Sequence, residues 1–275
     1  MRNRQRVGLW ALVLAGALVA RPASAQEECR LVPLETGAVH ACVEGAGPVT
    51  VVLAAGAGQT SRTWAPLRSR LSAAARVVTF DRPGLGRSPS GEAPRTPTRI
   101  AREIQAVIEA HGIAGPVVLV GPSMGGVHVL RYATLYPDQV AGVVILDTPP
   151  AGFEERRLGL LTPEEREARR RLLRAGLEGT PEAVRLEREG ARSPSEWDFS
   201  AFPSTLPLIV VVADSQNFGD LGGQAAHRRL WREGSREWLT LSRRARLIIA
   251  EGSGHMVHHD RPGLVLGVVR DMFGG

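Results

Sequence analysis

The sequence predicts an α/β fold: a mainly parallel sheet flanked by helices, with one helical insertion. Three observations carry that reading. Short, mostly apolar runs recur at 49–54, 76–80, 117–120, 140–146, 206–213 and 245–250, the pattern of strands buried on both faces. Helical stretches alternate with several of them, and such alternation builds parallel sheets. Composition then shifts after Thr148–Pro149–Pro150, and residues 151–203 become charged, arginine-rich and helical, as in Glu164–Leu173. That segment reads as a cap inserted into a core formed by residues 26–150 and 204–275.

The first 25 residues read as an address. Arg2, Arg4 and Arg6 precede an apolar run, Gly8–Ala20, and Ala23–Ser24–Ala25 is an A-x-A cleavage site, so the mature chain is expected to begin at Gln26. The run is short for a bilayer span, and no cysteine follows the site to take a lipid, so no stable membrane anchor is expected after cleavage. Export to the periplasm or medium follows. Removing Arg2, Arg4, Arg6 and Arg21 takes the formal net charge from +6 to +2. The basic residues are all arginine, and a near-neutral mature chain gives no reason to expect nucleic-acid binding. Cys29 and Cys42 are the two cysteines, and the exported context favours a disulfide tying the first strand to the next. Glu35–Thr36–Gly37 looks like the hairpin turn between them.

The strand at 49–54 runs into Ala55–Gly56–Ala57–Gly58, a loop of small residues that lets backbone approach a ligand. Gly56, Gly58 and Ser61, with Asp81 ending the next strand, weakly resemble a dinucleotide fingerprint, but Ser61 stands where glycine or alanine belongs. No cofactor is expected. Asp81–Arg82–Pro83–Gly84–Leu85–Gly86–Arg87–Ser88 reads as a tight structural loop. Ile100, Ile104, Val107 and Ile108 share one face of a helix over 98–111, and His111 sits at its C-terminal end without assigned chemistry.

The most informative stretch is Val117 to Gly126. A buried strand is followed by Gly121-Pro-Ser123-Met-Gly125 and then a helix over 127–136. Strand, sharp turn and helix are the context in which G-x-S-x-G lifts a nucleophilic serine above a sheet. Glycines at both ends allow the helix to pack close to the strand, and the N–H of Met124 lies at the helix N-terminus, suited to a negative oxygen. Late in the chain, Gly252–Ser253–Gly254–His255 places a histidine on a loop just after a strand, where a base belongs. His258 and His259 share that loop, but a metal site with His255 lacks a supporting acid or cysteine pattern, and none is expected. Asp260 reads as the N-cap of the last helix.

These pieces together resemble the α/β-hydrolase superfamily, and in particular its exported bacterial esterase and lipase-like branch. The resemblance rests on Ala55–Gly58, Asp81–Ser88, Gly121–Gly126 and Gly252–His255 with Asp260–Arg261–Pro262. Pro122 and Ala55 depart from it, standing where many relatives carry histidine. The resemblance implies a serine hydrolase that cleaves a carboxylic ester of a small molecule through an acyl-enzyme. His255 would take the proton of Ser123, and the N–H groups of Met124 and Ala57 would stabilise the oxyanion. The same residues could serve carbon–carbon bond or thioester hydrolysis or acyl transfer, or a silent binding protein could retain them. A carboxylate must orient His255. In most family members it follows the strand at 206–213, which makes Asp214 a candidate, with Asn217 near the expected place and Asp220 beyond. Other members carry it at the end of the preceding strand, which is Asp147. Asp147 is favoured and Asp214 is the alternative.

Overall fold

The computed structural model describes residues 27–35, 37–92 and 94–273. The expected leader, its cleavage site and Thr36 of the first turn lie outside those residues. The described chain forms one eight-stranded sheet: β1 (Glu28–Leu34), β2 (Gly37–Glu44), β3 (Thr50–Leu53), β4 (Arg76–Asp81), β5 (Val117–Pro122), β6 (Val140–Leu146), β7 (Leu208–Ala213) and β8 (Ala245–Ala250). The strand order is β1-β2-β4-β3-β5-β6-β7-β8. β1 and β2 form an antiparallel hairpin, β2 runs antiparallel to β4, and the pairings from β4 through β8 are parallel. Cys29 lies opposite Cys42 in the hairpin, and the two are joined by a disulfide.

Alternation along each central strand feeds two cores. Val52, Leu119, Val143 and Val210 face the layer of α2 (Pro97–Ala110), α3 (Met124–Leu135) and α7 (Gln224–Glu237). Val51, Val118, Val144 and Ile209 face α1 (Ala65–Ser72) and α9 (Pro262–Arg270). Burial on both faces is why these strands read as continuous apolar runs. On α2, Ile100, Ile104, Val107 and Ile108 are all buried, as their spacing predicts. Thr96 caps its start by accepting from the Arg99 N–H, and the His111 ring bonds the Val107 carbonyl at its end.

The helix after β5 begins at Met124, three residues earlier than the sequence suggested. Gly125 and Gly126 disguise its first turn because glycine is a poor helix former. Packing requires them: a Cβ on Gly125 would stand 2.6 Å from the Ala54 carbonyl oxygen, and one on Gly126 would stand 1.8 Å from Thr148 Oγ1. A second correction concerns Asp260. It ends the short helix α8 (Val257–Asp260) instead of capping α9, and its carboxylate accepts from the Gly254 N–H at 2.8 Å.

Between β6 and β7 the chain forms α4 (Phe153–Leu158), α5 (Pro163–Glu178) and α6 (Glu182–Gly190). α5 starts with a capping box between Thr162 and Glu165 yet buries none of its residues; Leu172 is exposed and Leu173 and Leu177 are only half-buried. α6 is different. It buries Ala183, Val184 and Glu187.

Candidate active site

The site lies at the C-terminal ends of β5, β6 and β8, where ligands bind in parallel sheets. Ser123 joins β5 to α3 with φ 49° and ψ −128°. Its own N–H donates to the Leu146 carbonyl at 2.9 Å, and its carbonyl accepts from the Gly126 N–H at 3.0 Å. Ser123 and Asp147 are the two non-glycine residues with positive φ among the described residues. Such backbone is strained, and strain of this kind gathers at functional positions.

Asp147 follows β6 and is fully buried. Its Oδ1 accepts from the Ala213 N–H at 3.0 Å and from Trp231 Nε1 at 2.7 Å. Its Oδ2 lies 2.7 Å from His255 Nδ1. A buried carboxylate with three donors is held as an acceptor, and the imidazole it faces is thereby fixed with its proton on Nδ1 and Nε2 free to accept. The His255 side chain is 35% exposed, so the free face of the ring is open to a reactant. Among the described residues no hydrogen bond joins His255 to Ser123 Oγ.

Asp214 does not reach the ring. Its Oδ1 accepts from the Gly252 N–H at 2.9 Å. Ser215 donates to the Ser253 carbonyl through both backbone and side chain, at 3.0 and 2.8 Å. With Asp260 on Gly254, the histidine loop is pinned on each side of its tip. Asn217 serves its own turn, accepting from Gly219 N–H and Gln224 Nε2, and Asp220 is exposed. The side chain that does come to His255 from beyond β7 is Gln216, whose amide lies 3.3 Å from Nδ1. An Nδ1–H aimed at Asp147 cannot accept from an NH2 group. The amide oxygen, otherwise buried without a partner, is the atom that fits there.

Met124 is the first residue of α3, so its N–H has no acceptor within the helix. Ala57 lies in the loop after β3, and that loop starts at Ala54 and Ala55, whose backbone closely approaches Gly125 of α3. Arg82, read from sequence as part of a structural turn, reaches this loop. Nη1 donates to the Ala55 carbonyl at 2.7 Å and Nη2 to the Gly56 carbonyl at 2.8 Å. The rest of the turn is scaffold: Asp81 accepts from the N–H groups of Ser61 and Arg87 at 2.7 and 2.9 Å.

The neighbouring histidines make their side-chain hydrogen bonds to Thr63. His258 is buried against Trp64, ring centroids 4.7 Å apart, and its Nε2 shares Thr63 Oγ1 with His259. Burial, with the charges of His259 and His255, pushes its pKa down to about 3. His128 on α3 is held well below its ordinary value by burial and by the Arg82 and Arg95 cations. Cys29, His40 and Cys42 place their ligand atoms within 4.8 Å of one another, but the sulfurs are spent on the disulfide.

The sequence signature described as "Alpha/beta hydrolase family" matches residues 51–268. The chain belongs to the alpha/beta hydrolase family. Among curated relatives of this hydrolase, an uncharacterised protein of Bacillus subtilis is 27% identical over 84% of the chain and 85% of its own length. An esterase of Mycobacterium tuberculosis is also 27% identical, over 86% of the chain and 87% of its own length. A thermophilic esterase from Thermogutta terrifontis shares the fold with a TM-score of 0.62 at 22% identity, covering 90% of this hydrolase and 98% of the esterase.

Proposed function

We propose that this alpha/beta hydrolase is an exported serine hydrolase that cleaves a carboxylic ester of a small molecule through an acyl-enzyme. The observation that carries the reading is the Asp147–His255 bond of 2.7 Å beneath an open imidazole face, at the sheet edge that presents a strained serine. Ser123 attacks the acyl carbonyl while Nε2 of His255 takes its proton. The N–H groups of Met124 and Ala57 receive the charge that develops on the carbonyl oxygen. His255 returns the proton to the departing alcohol. It then activates water, which releases the acid and frees Ser123. Asp147 keeps the ring in the required tautomer and stabilises the imidazolium. Residues 151–203 act as a cap on this site, and residues 1–25 as a cleaved leader. Two esterases of the same fold or family support ester as the bond cleaved.

A fluorophosphonate probe, with a panel of 4-nitrophenyl esters of increasing acyl length, tests this. The wild type should be labelled and turn over esters, and Ser123→Ala should do neither while keeping its circular dichroism. Ester turnover by Ser123→Ala at the wild-type rate would overturn the reading.

A further inference from the structure

Arg82 is 1% exposed. It makes four hydrogen bonds, two to successive backbone carbonyls and two to one carboxylate. The carbonyls are those of Ala55 and Gly56. The carboxylate is Glu187 of α6, which accepts from Nε at 2.6 Å and from Nη2 at 3.0 Å. A second buried arginine, Arg95, pairs with Glu103 and lies 4.0 Å from Glu187. Glu187 therefore sits between two cations, and both of its oxygens bond Arg82.

A planar trans peptide carries its C=O and N–H on opposite sides. The Gly56 carbonyl and the Ala57 N–H belong to one such unit, so drawing the carbonyl onto Arg82 turns the Ala57 N–H away from it. The unit before obeys the same rule. With the Ala55 carbonyl on Arg82, the Gly56 N–H points away and is taken by Gln59 Oε1 at 3.1 Å. Gln59 in turn reaches Met256 Sδ at 3.3 Å, next to His255. Two successive N–H groups thus point away from Arg82, the Gly56 carbonyl being held also by the Gln59 N–H at 3.1 Å, and the second of them is the oxyanion donor of the proposed reaction.

We propose that Arg82, held by Glu187, is the positioning residue that sets the direction of the Ala57 N–H, so that seating α6 and forming the oxyanion hole are one event. This rests on the serine-hydrolase reading above. The packing agrees with it. α6 also lays Val184 against Gly58, where a Cβ would approach its methyl group to 3.2 Å. Lifting α6 would strand Arg82 as a buried cation without its carboxylate, a strongly unfavourable state. Lysine keeps the charge but lacks the planar fork needed to hold two carbonyls and a carboxylate together.

The test compares Arg82→Lys and Glu187→Gln with the wild type on 4-nitrophenyl acetate and its thionoester, whose C=S is a poorer acceptor for oxyanion donors. Circular dichroism and thermal melts monitor folding. Loss of one oxyanion donor costs on the order of 10²–10³-fold in kcat. Arg82→Lys is expected to lower kcat for the oxoester about 100-fold with KM within about threefold, and Glu187→Gln about tenfold. The thionoester should lose much less, so the oxo-to-thiono ratio falls. A folded variant with unchanged kcat, or with equal losses on both substrates, would overturn the inference while leaving the serine mechanism standing. Should Arg82→Lys fail to fold, the isosteric Glu187→Gln decides by the same ratio. A wild type that neither labels with the fluorophosphonate nor turns over ester would remove the foundation of both proposals, an outcome distinct from a loss confined to the Arg82 and Glu187 variants.

Discussion

β6 and β7 lie side by side, run parallel and each hand over to an aspartate. Past β6 the backbone turns to φ 46° at Asp147. The turned side chain is fully buried, where a neighbouring strand and α7 supply N–H donors for one oxygen and His255 meets the other. Past β7 the backbone makes no such turn. Asp214 stays half-buried and its carboxylate accepts from the backbone of the histidine loop. One aspartate addresses the ring and the other the chain that carries it. Position at a strand end does not select between these roles. The local turn and the donors waiting for the carboxylate do.

The sharpest way to break this contrast is Asp147→Asn. Losing the carboxylate that fixes the tautomer should lower kcat on the order of 10⁴-fold in a folded protein. A nearly active Asp147→Asn beside a dead, folded Asp214→Asn would reverse the two roles.

Acid probes the loop that Asp214 anchors, because that loop leads into His258. The folded-state pKa of His258 is about 3, below its unfolded value near 6.5. Between those values the unfolded chain holds a proton that the folded chain does not, so stability is full above about pH 6.5 and is lost as pH falls. The loss should approach ~1.4 kcal/mol per pH unit from this group alone. Urea melts at pH 7.5, 6 and 5 should show it, with a shallower decline in His258→Gln. Equal slopes in the two proteins would reject the assignment.

Trp231→Phe sharpens the Asp147 side. It removes one of three donors to that carboxylate, worth on the order of 1–1.5 kcal/mol, and should lower kcat about tenfold with KM nearly constant. An unchanged kcat would mean that the indole does not orient the acid. The smallest effect belongs to Asp214→Asn. The amide oxygen can still accept from Gly252, so kcat should stay within about threefold, and thermal melts should fall by a few degrees at most.

The central strands β3 to β7 were legible because burial on both faces writes them as valine-rich runs, and the serine turn because Gly121 and Gly125 are dictated by close backbone approach. The choice between Asp147 and Asp214 was weakly legible. It depends on a backbone angle and on a tryptophan 84 positions further along the chain, neither of which leaves a local pattern. Gln216 carried no signal, since a glutamine in a polar loop is ordinary. Arg82 carried a faint one: an arginine at the C-terminal end of a buried strand, level with the serine, needs acceptors. Its acceptors are loop carbonyls and a glutamate 105 positions away in the most charged part of the sequence, where one carboxylate looks like any other. Asp260 imitates an N-cap because it stands two residues before Pro262, yet it ends α8 and Arg261 takes the cap of α9.

The conformation of Ser123 carries a consequence for the history of such chains. At φ 49° and ψ −128° glycine is at ease and serine is not, so Ser123→Gly would relax the turn by roughly 1 kcal/mol while erasing the hydroxyl that the proposed reaction needs. Under that proposal, thermodynamic drift and catalytic use pull this position in opposite directions. Once a lineage no longer depends on the reaction, decay to a more stable, inert copy is downhill. A glycine at this position in a duplicate would mark release from that dependence, not damage to the fold.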